Sequence, residues 1–245
     1  MIFVVGLGPG GQDDMTPRAV NALERSDIIC GYVTYIDLIK DFDILKAKDL
    51  RPSGMKHEAE RCREVLQLAL DNPDKNIALV SSGDPGVYGM AGLMLEIADN
   101  ADNKVEVEII PGVTAANSAA AVLGAPLMHD FAIISLSDLL TPKDLIAKRL
   151  AAAAQADFVI CLYNPASHGR PEHFKWACDI LLQHKSPETP AGWVSNIGRK
   201  DQNYKIMTLK EIRGEKLDMF CTAVIGNSQT KIKNNKMITP RGYLN

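Results

Sequence analysis

The chain has 245 residues, 46% of them hydrophobic and 23% charged, and a net charge of −3. That length gives one large domain or two of about 120 residues, with a core that needs no disulfide or metal staple. The charge argues against a broad nucleic-acid-binding surface, and the absence of any run of about 18 apolar residues argues against a membrane span. The five cysteines, Cys30, Cys62, Cys161, Cys178 and Cys221, form no C-x-x-C pair. An odd count inside apolar runs reads as buried free thiols in a reducing cytoplasm. The residues before Gly6 carry neither the basic nor the long apolar segment of a secretion signal.

In chain order, IFVVG, DIICGY, NIALVSS and KVEVEIIPG read as strands of the first half. FAIISL, DFVICLY, AGWVS, YKIMTL and MFCTAVIGN read as strands of the second. Helical patterns fill 16–25, 58–70, 88–98, 114–123 and 142–154. Thr16-Pro17 and Thr141-Pro142 each place a capping Thr before a Pro at the first helical position. Alternating strands and helices predict an α/β fold. Little helix separates the last two strands, so the second sheet is expected to be mixed and the first mostly parallel. The turn-rich GAPLMHD suggests a boundary between domains 1–125 and 126–245.

Gly6, Gly8 and Gly11 match G-x-G-x-x-G, the spacing of a dinucleotide-binding turn. That turn also needs a carboxylate at the tip of the second strand, about 20 residues on. Here the second strand ends Cys30-Gly31-Tyr32, and Asp27 lies at the wrong end. Pro9 lacks an N–H to offer phosphate, and Asp13-Asp14 would repel it. The loop reads instead as the lining of a substrate site at the carboxyl end of a strand. Three more strand ends carry the same chemistry: SSGDPGVYG, IIPGVTAA and YNPASH. Four such loops suggest a cleft with close backbone approach to a ligand.

Together, GLGPGG…MTPRA, SSGDPGVYGMAG, IIPGVTAANSAAA, YNPASHGRPEHF and ITPRGY resemble the tetrapyrrole methyltransferases that use S-adenosylmethionine, along nearly the whole chain. YNPASHGRPEH and SSGDPGVYGMAG point to the branch acting at C-17 of a precorrin-3B-type substrate, with ring contraction, in cobalamin synthesis. The resemblance implies two α/β domains, an active site in the cleft between them and a cytoplasmic homodimer. It implies that Pro9 lines the site, and that Ser82, Gly83 and Asp84 meet the amino-acid end of the cofactor, with Val87 nearby. Thr114 and Ala115 would meet the sulfonium end and the methionine part. Tyr163 and Asn164 would meet the ribose and adenine, with Asn196 and Ile197 on a second adenine-side loop, where the family often has glycine. S-adenosylhomocysteine would be the product. The tetrapyrrole, metal-free or carrying cobalt, would face Gly8 and Gly10.

Methyl transfer from a sulfonium is an in-line displacement, so positioning dominates and no covalent nucleophile is needed. Ring contraction also moves protons, for which Asp13, Asp14, His168 and His129 are candidates. Substrate carboxylates call for cations, and Arg170, beside the Asn164 loop, leads Arg51, Lys56, Arg61 and Arg199. His168 and His173 are five apart with Glu172 between, the wrong spacing for one helix face, so no protein-held metal is expected. Asp13-Asp14 serve equally well as a charge device at a helix start. His57 and His184 read as surface residues, Trp176 and Trp193 as core, and KIKNNK as a solvated turn. A nicotinamide-dependent dehydrogenase, another methyltransferase of the same fold and a non-catalytic binding protein are the alternatives.

Overall fold

The computed structural model describes residues 1–54, 57–100, 105–167 and 169–243. They divide into two compact units, 1–115 and 116–245.

The first unit comprises β1 (Ile2–Gly6), α1 (Pro17–Arg25), β2 (Ile28–Tyr32), α2 (Val33–Ile39), β3 (Asp49–Ser53), α3 (Glu58–Asp71), β4 (Ile77–Ser81), α4 (Ala91–Asp99) and β5 (Val107–Ile110). Its sheet is wholly parallel in the order β3-β2-β4-β1-β5. Helices cover both faces, which is why IFVVG and IALVS are apolar throughout and fully buried. The pleat sorts their side chains. Ile2, Val4, Ile77 and Leu79 pack with residues of α3 and α4, whereas Phe3, Val5, Ala78 and Val80 pack with residues of α1 and α2. Each Ile, Leu, Val or Phe among them contributes about 1.5–3 kcal/mol through burial. In a parallel sheet all strands end at one edge, so the loops after β1, β4 and β5 are brought together.

Thr16 caps α1 as expected: its Oγ1 accepts from Ala19 N at 3.1 Å, with Pro17 following. Thr141 does not repeat the device. The second unit continues with α5 (Ala115–Leu123, beginning on the last residue of the first), β6 (Gly124–Ala125), β7 (Phe131–Ser135), α6 (Lys143–Gln155), β8 (Val159–Tyr163), α7 (His173–Leu181), β9 (Pro190–Ser195), β10 (Asn203–Thr208), α8 (Leu209–Ile212), β11 (Cys221–Ile225), β12 (Lys231–Lys233) and β13 (Lys236–Ile238). Pro142 is the N-cap of α6 and no side chain caps that helix. Its extended backbone leaves the cap position to a residue without a hydroxyl.

The second sheet is mixed, in the order β10-β9-β11-β8-β7, with β7 and β8 parallel and the rest antiparallel. One face packs residues of α6, α7 and α8, and Trp176 and Trp193 flank that core, half-buried. On the other face Leu123 of α5 lies so close that a Cβ on Gly192 would meet it at 2.8 Å. KIKNNK is not a plain turn but the hairpin β12–β13. Asn234 and Asn235 both adopt positive φ, as a two-residue hairpin loop requires. Thr239, fully buried, bonds Thr230 at 2.8 Å, Pro240 O meets His129 Nε2 at 2.9 Å, and Arg241 donates to Met128 O at 2.9 Å. The ITPRGY segment is therefore a clasp, and His129 is part of it.

All five cysteines are buried and free. Burial pushes the thiols of Cys30, Cys161, Cys178 and Cys221 up to about 12 and that of Cys62 to about 11. Among the described residues no helix is long and apolar enough to cross a membrane.

Candidate functional site

In the first unit the loops after β1, β4 and β5 meet main chain to main chain. Gly8 N donates to Gly83 O at 3.1 Å and Gly83 N to Gly8 O at 2.7 Å, while Leu7 N donates to Ser81 O at 2.9 Å. A Cβ on Gly6 would stand 2.6 Å from Gly112 N, and one on Gly112 would stand 2.2 Å from Gly83 O. Only glycine permits this packing at Gly6 and Gly112. The Gly8 amide is thus committed to the β4 loop, not held out for a phosphate. Thr16 Oγ1, besides capping α1, donates to Pro111 O at 3.2 Å, tying that helix start to the β5 end.

Asp84 stitches the same loops. Its Oδ1 accepts from Gly86 N at 2.8 Å and its Oδ2 from Gly112 N at 3.1 Å. Val87 N donates to Asp84 O at 3.2 Å and Ala91 N to Pro85 O at 3.0 Å, closing a tight turn before α4, which therefore begins at Ala91 and not near Tyr88. Gly83 has φ +67°, and a Cβ there would lie 3.7–4.0 Å from Ala115 N, Thr114 Cα and Val113 O. A side chain would fill the gap between the two loops. The gap is a main-chain cradle bordered by Ser82, Gly83, Thr114 and Ala115. Gly8, paired with Gly83 through the main chain, and Pro9 after it are buried, and Gly10 is half-buried.

In the second unit Tyr163 ends β8, and its hydroxyl accepts from Ala116 N at 2.6 Å. Asn164 takes φ 52° and donates from Nδ2 to Ser135 Oγ at 2.9 Å. Asn196 takes φ 49° at the end of β9, donates to Asp201 Oδ2 at 2.7 Å and precedes buried Ile197. Where the resembling family often has glycine, an asparagine thus supplies the left-handed backbone, a conformation Asn tolerates better than most residues. Arg170 Nη1 donates to Leu136 O at 3.0 Å, and its Nε lies 3.7 Å from Asp138 Oδ1. Asp138 Oδ2 also meets His173 Nε2 at 3.0 Å. The hydrogen bond from His173 holds the Asp138 carboxyl below its ordinary range, with the charges of His173 and Arg170 adding to it. Arg170 is therefore occupied in joining the β7 and β8 loops, its side chain 14% exposed. Sequence spacing gave no sign of Asp138, because its partners lie 32 and 35 residues away.

Asp13 and Asp14 lie exposed on a 3₁₀ turn, Gln12–Asp14, between the β1 loop and Thr16. Arg61 is not an exposed cation. It is buried, donating from Nε to Ser53 Oγ at 2.5 Å, from Nη2 to Gly54 O at 2.5 Å and from Nη1 to Met90 Sδ at 3.3 Å. Arg51 is paired with Asp49, and the Arg199 guanidinium lies 5.6 Å from the Phe220 ring centre. His57 and His184 are exposed. His168 and Lys56 lie outside the described residues. Among the described residues no three His, Cys, Asp or Glu side chains gather as a metal site would need.

The sequence matches the family of tetrapyrrole (corrin/porphyrin) methylases over residues 1–213. It is 49% identical, over 99% of both chains, to a probable cobalt-factor III C(17)-methyltransferase of Salmonella typhimurium. A protein of the same name from Methanocaldococcus jannaschii is 41% identical over all of this chain and 98% of its own. A cobalt-factor III methyltransferase of Priestia megaterium is 45% identical over 99% of this chain, which spans 45% of that longer protein. Among solved structures, the methyltransferase CobJ superposes with a TM-score of 0.91 at 34% identity, covering 98% of this chain and 99% of the other. A Thermus thermophilus uroporphyrin-III C-methyltransferase complexed with S-adenosylhomocysteine shares the fold, with a TM-score of 0.69 at 22% identity over 92% and 91% of the two chains. With glycine-packed loops at the carboxyl edge of a parallel sheet, a mixed second sheet and a family match over most of its length, this chain belongs to the tetrapyrrole methylases.

Proposed function

We propose that the chain transfers a methyl group from S-adenosylmethionine to C-17 of cobalt-factor III, with contraction of the macrocycle, in cobalamin biosynthesis. The observation that carries the reading is the 49% identity to the Salmonella relative over 99% of both chains. The cobalt in the names of the relatives favours a cobalt-containing substrate over a metal-free one, and the metal is then part of the substrate.

The cradle between the β4 and β5 loops suits the cofactor. It is walled by main chain, it is kept open by a glycine whose Cβ would fill it, and peptide groups there can bond a zwitterionic amino-acid end. Ser82, Gly83, Val87, Thr114 and Ala115 hold that end and the adjoining methionine part. Tyr163, Asn164, Asn196 and Ile197 serve the ribose and adenine. Pro9 lines the cofactor side, and Gly8 and Gly10 face the acceptor. When bound, the cofactor supplies an activated methyl on sulfur. The chain's own residues fix donor and acceptor in line and exclude water. Asp13, Asp14 and His168 are the candidates for the proton movements of contraction.

The protein works as a homodimer in the cytoplasm. Five buried free thiols support a reducing compartment. Calorimetry with S-adenosylhomocysteine and with NAD separates this reading from a dehydrogenase. The expected result is binding of the former and not the latter. Binding of NAD alone would overturn it.

A further inference from the structure

We infer that Asp84 is a positioning residue: its carboxylate sets the shape of the cradle through the Gly112 amide and does not itself hold the cofactor. The inference rests on the methyltransferase reading above and refines one residue's part in it. Its two oxygens are engaged in different ways. Oδ1 accepts from Gly86 N at 2.8 Å, a local bond that fixes the side chain over its own turn. Oδ2 accepts from Gly112 N at 3.1 Å, 28 residues away on the β5 loop. The side chain is thus a rigid bridge between the two loops that border the cradle.

The surroundings leave that bridge no slack. Gly83 O stands 2.2 Å from where a Gly112 Cβ would be, and Gly6 C and O stand 2.8 Å from it. Any side chain at Gly112 would force the β5 end away, and the Asp84–Gly112 bond keeps it from receding. The space at Gly83, 3.7–4.0 Å from Val113, Thr114 and Ala115, is the outcome of the two limits. A carboxylate is the short side chain that accepts on both oxygens. An amide in its place would turn an N–H toward one of the two backbone N–H groups.

The test uses the full chain, wild type and Asp84→Asn, with S-adenosylhomocysteine and with its deaminated analogue, which keeps the carboxylate and the chain to sulfur and lacks only the ammonium group. Asp84→Asn is expected to weaken both compounds by the same factor, about tenfold, the worth of one hydrogen bond to a charged group. A loss for S-adenosylhomocysteine that disappears for the deaminated analogue would mean direct contact with the ammonium group and would overturn the inference, as would no loss for either. A second readout needs no cofactor. In amide hydrogen exchange the Gly112 amide, bonded to the Asp84 carboxylate, should be protected in the wild-type protein and lose that protection in Asp84→Ala. Protection of Gly112 that survives in Asp84→Ala would refute the bridge. Wild-type protein that binds neither compound while Gly112 loses its protection in Asp84→Ala would overturn the cofactor reading and leave the bridge standing.

Discussion

Replacing Gly112 with Ala puts a methyl group where the structure has no room. The new Cβ would stand 2.2 Å from Gly83 O and 2.8 Å from Gly6 C and O, all main-chain atoms that cannot swing aside. An ordinary carbon contact needs about 3.5 Å, so the end of β5 must withdraw by roughly 1 Å. That withdrawal breaks the bond from Gly112 N to Asp84 Oδ2, now 3.1 Å. Overpacking of this kind costs about 1–3 kcal/mol, and the lost bond to a charged acceptor about 1.5–3 more. The expected destabilisation is about 3–5 kcal/mol. Urea unfolding reads it directly: with a slope of about 1–3 kcal/mol per molar, the midpoint falls by more than 1 M. Gly92→Ala is the control. Nothing lies within 4 Å of a Cβ there, at an exposed position of α4, and Ala is expected to stabilise by about 0.5–1 kcal/mol. Equal midpoints for the two variants would refute the close packing of the three strand ends.

Thr16→Ala should cost about 1–2 kcal/mol, because it removes the cap to Ala19 N and the bond to Pro111 O, while Thr141→Ala should leave thermal stability unchanged. Arg61→Met keeps the length but removes the donors to Gly54 O and to Ser53 Oγ, which keeps its bond to Gly31 O, and a loss of about 1–3 kcal/mol in calorimetric unfolding is expected; an unchanged melting temperature would contradict the hydrogen-bond cluster around Arg61. The Asp138 carboxyl is depressed mainly by its bond from His173, so its contribution is full above the ordinary aspartate value near ~3.9 and fades as pH falls through the lower folded value. Asp138→Asn should therefore flatten the acid-side loss of stability below about pH 4, and an unaltered acid limb would count against it.

The strands were legible where burial on both faces made them apolar throughout, as in IFVVG and IALVS. β3 was not, because DLRPS is an exposed edge strand with a proline and charges, with no apolar run to mark it. The hairpin β12–β13 hid behind lysines for the same reason, and its Asn234-Asn235 turn was the signal that could have marked it. At the candidate site the four strand-end loops were visible as glycine, proline and small polar residues. What joins them was not. Asp84 meets Gly112 across 28 residues, and Asp138 meets His173 across 35, pairings that only the folded sheets bring about. Charge alone also misled: Arg61 looks like a surface cation, yet it is turned inward by acceptors that no local pattern announces.

The measurement that bears most directly on the account is incubation with cobalt-factor III and S-adenosylmethionine carrying a deuterated methyl group, followed by mass spectrometry and NMR of the product. The account predicts one deuterated methyl added, located at C-17 of a contracted ring. Unlabelled cobalt-factor III, with the label instead on a different tetrapyrrole or on none, would contradict it.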